Sequence, residues 1–168
     1  MNRRFRIRLR KSALAGACAC LLLLLSWPLR AGTWSGIEPL TSRRADVERV
    51  LGKPVENKPG ETGTLRFKVA GGTVTVVFVD ARFVAAHKLA PELVGTVRQI
   101  VLQHENAPDT PESLKLTDNK DFVRDTHSNA VVYRNQRDGV AYTFIEGRLR
   151  TTNFTASAEQ VKRAQRGS

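Results

Sequence analysis

Two stretches of this chain alternate apolar and polar residues around a glycine-bearing turn, and they stand at a fixed offset of 66 residues. In the first, Leu65, Phe67 and Val69 alternate with Arg66 and Lys68. The chain then turns at Ala70-Gly71-Gly72 and returns with Val74, Val76 and Phe78 on the matching face. A period of two over this length specifies a half-buried β-strand, and the turn between two such runs specifies a hairpin. In the second, Val131, Tyr133, Val140, Tyr142 and Phe144 occupy the corresponding places. Asp80 and Arg82 likewise correspond to Glu146 and Arg148. Any two alternating hairpins look alike, but the matched phenylalanine, acid and arginine positions go beyond that. A repeated hairpin confines the chain to an antiparallel sheet with one face buried.

Something must cover the buried face. Pro39 to Pro54 reads as a short helix over Ser42–Leu51, with Thr41 or Ser42 as N-cap and Asp46 at the positive end of the dipole. Val47, Val50 and Leu51 form its apolar stripe, and Gly52 followed by Pro54 ends it. Before it, Gly32–Glu38 reads as an extended lead-in anchored by Trp34 and Ile37. Trp34 reads as a packing residue, because aromatic side chains dominate core burial.

After a strand at Thr96–Gln103 and a polar linker at His104–Pro111, the second half is expected to repeat the first. Thr117 or Asp118 caps a short helix through Asp125, and strands follow at Ala130–Asn135, Val140–Ile145 and Arg148–Thr155. The expected fold is therefore α+β: an antiparallel sheet built from two helix-plus-three-strand units, about 32–106 and 112–156, with the helices packed on one face. Residues 157–168 form a polar tail. Ser157 and Gln160 suit a capping box there, but the weak apolar face predicts fraying.

Residues 1–31 hold seven basic side chains, no acid, and an apolar stretch from Ser12 to Pro28 that includes Leu21–Leu25. That is the make-up of a secretory signal, with cleavage expected between Ala31 and Gly32. The other reading is an uncleaved anchor, since Ala13–Leu29 reaches the short end of what spans a bilayer. Cys18 and Cys20 both fall inside this segment, so an exported product has no thiol for disulfides, catalysis or metal. The chain's formal charge of +11 also comes largely from here; without it, 20 basic side chains face 16 acidic ones, or +4. Such a balance, with an exported address, argues against nucleic acid as a partner.

Trp34-x-Gly36-Ile37-x-Pro39-Leu40, then Arg44-x-Asp46-Val47-x-x-x-Leu51-Gly52-x-Pro54, resembles the opening of a group of small secreted bacterial proteins of uncharacterised function. Gly139-Val140-Ala141-Tyr142 and Gly147-Arg148-Leu149 match a late pattern of the same group. The piece Ala45-Asp46-Val47…Leu51-Gly52-x-Pro54 before a hairpin is also similar to outer-membrane-assembly lipoproteins of the SmpA/OmlA type. A tandem of such units is similar to the β-lactamase-inhibitor-protein fold. The resemblance implies an exported, non-enzymatic, protein-binding scaffold. It departs from the lipoproteins in having Gly32, not cysteine, at the expected start.

No residue is assigned a catalytic or metal-binding role, and no cofactor is expected. His87, His104 and His127 lack the spacing of a metal site, and no G-x-S-x-G elbow is present. Asp118, Asp121 and Asp125 read as a solvated face. The candidate partner surface is the sheet face turned away from the helices, with Arg66, Lys68, Thr73, Thr75 and Thr143, joined by the basic Arg148 and Arg150. The expected partner is another envelope protein, and any membrane contact runs through an uncleaved N-terminal segment. The competing expectation is a small envelope hydrolase or ligand carrier whose irregular 80–95 segment acts as a lid, with Asp80, Arg82 and His87 as its site.

Overall fold

A computed structural model describes residues 32–57 and 63–166; the expected signal segment, 1–31, lies outside the described residues. Helix α1 (Arg44–Leu51) precedes strands β1 (Glu56–Asn57), β2 (Leu65–Val69) and β3 (Gly72–Phe78). Helix α2 (Ala81–His87) and a 3-10 turn (Pro91–Leu93) lead into β4 (Val97–His104). The second half supplies β5 (Val123–His127), β6 (Ala130–Asn135), β7 (Val140–Ile145) and β8 (Arg148–Thr155), followed by α3 (Ala158–Arg166).

The described strands form one antiparallel sheet in the order β1-β2-β3-β4-β8-β7-β6-β5. Each half is a meander, and the halves meet through their last strands, with Ile100 opposite Phe154 and Leu102 opposite Thr152. The α+β class with an antiparallel sheet is therefore as expected.

The registers explain why the hairpins look alike. In the first, Phe67 faces Val74 across a two-residue turn; in the second, Tyr133 faces Tyr142 across four residues. A two-residue difference preserves side-chain parity, so the same face stays buried although the partners change. A bulge recurs at the offset of 66: between Val77 and Phe78 on β3, and between Thr143 and Phe144 on β7. In both places an arginine, Arg98 or Arg150, is the unpaired residue on the neighbouring strand.

The halves differ in what covers the sheet. Over the first, Val47 of α1 packs with Ile37, Phe67, Val76, Phe78 and Ile100, and Trp34 is partly buried against them. Trp34 and Ile37 close a tight turn on each other (N–H to O distances 3.1 and 2.8 Å), not an extended lead-in. Ser35 and Gly36 hold positive φ angles of 49° and 78° there, and glycine accepts this without strain. The helix starts after Arg43. Ser42 is buried and its hydroxyl accepts the Glu38 N–H at 2.9 Å, while Asp46 accepts the Arg43 N–H at 2.9 Å. Val50 leaves the expected stripe and is 44% exposed.

Over the second half no helix forms at Thr117–Asp125; the chain makes turns there and then β5. The cover is a single helical turn further upstream. Thr110 and Ser113 cap one another through 2.9 and 3.2 Å bonds, Leu114 N–H donates to Thr110 O at 3.1 Å, and Lys115 turns left-handed at φ 54°. Leu116 then drops against Tyr133, Phe144 and Leu149, with Leu114 and Phe122 beside it. Thr110-Pro111-Glu112 carried the signal, a cap with proline at the first helical position, inside what reads as a linker.

Phe78 ends β3 and Val79 follows it; both are buried, yet they enter different clusters, because side chains alternate sides along extended backbone. Val79 packs with Leu40, Val84 and Leu89, and Val161 and Ala164 of α3 join them. The helices therefore do not share one face: α1 lies on the buried face, while α2 and α3 gather around Val79 at the end of the strands. The expected capping box of α3 is present, with Gln160 N–H donating to Ser157 Oγ at 3.2 Å and Ser157 N–H to Gln160 Oε1 at 2.7 Å. Its apolar residues make it a packed helix, not merely a polar tail.

Candidate partner surface

Register decides which side chains share the other face. Arg66 pairs with Thr75, Lys68 with Thr73, Thr73 with Gln103 and Thr75 with Val101, so the first four candidates stand together. Across the junction Val101 faces Asn153, Asn153 faces Ala141, and Thr143 faces both Thr151 and Val132. This is one continuous surface of short polar and β-branched side chains, most of them half-buried. None of the three apolar clusters packs on its centre.

Charge sits toward the rims: two arginines are paired with acids, while Lys68 is exposed and has no acidic partner among the described residues. Arg66 lies 3.5 Å from Glu56 on the β1 side, and Arg134 lies 2.9 Å from Asp125 on the β5 side. Exposed pairs of this kind contribute little stability, well under about 1 kcal/mol each, but they leave the middle of the face neutral. Arg148, opposite Ile145, shares the parity of Thr143 but stands at the start of β8, away from the others, and Arg150 leaves the alternation. Arg148 donates to Pro108 O at 2.9 Å, tying β8 to the segment that leads to the Leu116 cover. Arg150 is the bulge residue, exposed and out of the strand alternation.

Residues that sequence reasoning missed lie in the centre. Val97, Gln99 and Val101 read as one face of β4, but the bulge at Arg98 breaks the period. Val97, Ile100 and Leu102 pack with the core side, and Gln99, Val101 and Gln103 take the open side. Gln99 Nε2 donates to Asn153 Oδ1 at 3.0 Å, an amide pair bridging the two halves. Beside it, over Ala141, a hollow of about 400 Å³ is bounded by Val132, Thr143 and Arg134. No short-range signal joins Asn153 to Gln99, which lie 54 residues apart.

The 80–95 segment is not an irregular lid. Asp80 is the N-cap of α2, accepting the Phe83 N–H at 2.6 Å. His87 ends that helix; its Nδ1 lies 2.9 Å from Phe83 O and its ring stacks on Phe83 at 4.1 Å. A helix of this length separates them by about 10 Å, and Arg82 is exposed between them. The expected convergence of Asp80, Arg82 and His87 on a pocket does not occur. The segment is instead long where the second half has the two-residue turn Glu146-Gly147, and its apolar residues Val84 and Leu89 make the Val79 cluster.

The fold and surface together define an α+β protein whose eight described strands make one antiparallel sheet, apolar on one face and, over the centre of the other, polar and open. Searched by sequence, the chain matches no family model and no curated protein. Among solved structures it is similar to a DUF4309 family protein (YjgB) from Bacillus subtilis subsp. subtilis str. 168, at 14% identity. That match covers 73% of this chain and 83% of the other, with a TM-score of 0.48, and carries nothing about what this chain does.

Proposed function

We propose that this protein is an exported, non-catalytic binding or structural protein that holds another envelope or secreted protein on the open face of its sheet. The observation that carries the reading is a continuous polar face running from Arg66 and Thr75 through Asn153 to Thr143, with Arg66 and Arg134 at its rims paired to acids. A broad face of this kind suits a protein, because small-molecule sites are concave and mostly apolar. The basic and then apolar stretch in residues 1–31 supports an envelope or extracellular address.

The test is capture from envelope extract by the tagged protein and by a variant carrying Thr75→Arg and Thr143→Arg. A near-stoichiometric partner retained by the first and lost by the second is the expected result. A partner held equally by both, or none at several salt concentrations, defeats the proposal. Cell fractionation with N-terminal sequencing addresses export separately: the product is expected outside the cytoplasm and starting at Gly32.

A further inference from the structure

Resting on that reading, we infer that the hollow over Ala141 is the anchor point of the face, and that its occupant is an extended, uncharged peptide segment of the partner. Three observations converge there. The first is the amide pair. In bonding to each other through Gln99 Nε2 and Asn153 Oδ1, these side chains leave two whole atoms, the accepting Gln99 Oε1 and the donating Asn153 Nδ2, without a partner among the described residues. An unengaged acceptor atom beside an unengaged donor atom is the complement of a peptide group, whose N–H and C=O need one of each.

The second is shape. Ala141 is the small residue among Val132, Thr143 and Asn153, and with Gly139 it leaves the floor of the hollow low. About 400 Å³ lies toward the low end of the roughly 300–1,000 Å³ that ligand sites span, room for a side chain or two. The trough crosses β4, β8, β7 and β6, roughly 14 Å at ordinary strand spacing, the reach of about four extended residues. The third is charge. Arg134 at the border is already matched by Asp125 at 2.9 Å, so a charged side chain entering the hollow would lose water without gaining a counter-ion.

The probe is the capped peptide Ac-Ser-Thr-Leu-Thr-Ser-NH2, titrated into the ¹⁵N-labelled protein, with central Asp and central Lys versions and with glucose as comparisons. The expected result is saturable shifts of the Gln99 and Asn153 side-chain NH2 signals and of the Ala141 amide, with Kd on the order of 1 mM. The two charged peptides bind about tenfold more weakly or worse. Ala141→Leu fills the hollow and abolishes the shifts, while Thr73→Ala, at the far side of the face, leaves them in place. No shift at probe concentrations of about 10 mM, equal binding by the charged peptides, or equal shifts with glucose overturns the inference, and none of these depends on a variant folding. Capture of a partner that depends on Thr75 and Thr143, together with no response to the peptide, refutes the anchor and leaves the proposed function standing. Capture indifferent to those residues refutes the proposed function itself.

Discussion

Leu116 tests whether an irregular segment replaces the missing second helix. It is 4% exposed and packs on Tyr133, Phe144 and Leu149, although it belongs to neither helix nor strand. Leu116→Ala removes three carbon atoms, about 2.4 kcal/mol of transfer free energy at roughly 0.8 per carbon. If about 40 Å³ of the space stays empty, the cavity adds about 1 kcal/mol. A turn held by Thr110, Ser113 and Lys115 settles into the gap only in part, so the expected loss is about 3 kcal/mol. Urea denaturation followed by tryptophan fluorescence and far-UV circular dichroism measures it, and with a slope near 2 kcal/mol/M the midpoint falls by about 1.5 M. Leu114→Ala, half-buried in the same turn, is expected to cost about 1 kcal/mol. A loss below about 1 kcal/mol at Leu116 refutes the idea that this turn does for the second half what α1 does for the first.

Gly72 and Gly71 are adjacent but constrained differently. A Cβ at Gly72 meets the Gln103 carbonyl of β4, so Gly72→Ala pushes two strands apart and costs about 3 kcal/mol or more. At Gly71 space is open and only its φ of 81° resists, so Gly71→Ala costs about 1 kcal/mol; equal losses in thermal melts refute the distinction. Burial lowers the His104 pKa, against the attraction of Asp109, and its Nε2 lies 2.9 Å from Thr152 Oγ1 at the junction of the halves. A depressed imidazole pKa leaves the unfolded chain binding more protons. Stability is then complete above the ordinary histidine range and falls as pH drops through the folded value, modestly at this exposure. His104→Gln flattens stability between about pH 5 and 7.5, and an unchanged slope counts against the assignment. The Arg43 N–H and then Arg49 hold the Asp46 carboxyl below its ordinary range, so its stabilisation is present at neutral pH and disappears on acidification through the folded value. Asp46→Asn should remove that acid-side slope in the same denaturation series, and a slope that survives refutes the capping role.

Much of the architecture was legible because it rests on short-range physics. Alternation in β2, β3, β6 and β7, the Gly52–Pro54 stop of α1 and the Ser157–Gln160 box of α3 are each written within a few residues. Alternation also placed Arg66, Lys68, Thr73, Thr75 and Thr143 on one face before any partner strand was known. Reading failed where a distant neighbour decided the outcome. Thr117–Asp125 carries caps and an apolar pair suited to a helix, yet β6 offers an edge, and Val123–His127 pairs with it. The 80–95 segment reads as irregular because its apolar residues keep no single period, yet Asp80 caps α2 and His87 stacks on Phe83.

The open face shows the same division. Its existence follows from sequence alone, since a period of two with one apolar side leaves the other side polar. Its centre does not. The bulge at Arg98 shifts every later residue of β4 by one face, and only pairing with β3 reveals it. The junction of β4 with β8 then brings Gln99 and Asn153 together, and the registers of β8, β7 and β6 set Ala141 beside them. Parity along a strand is a local property that residue order determines; register between strands distant in sequence is a property of the assembled sheet, set by which faces can be buried together.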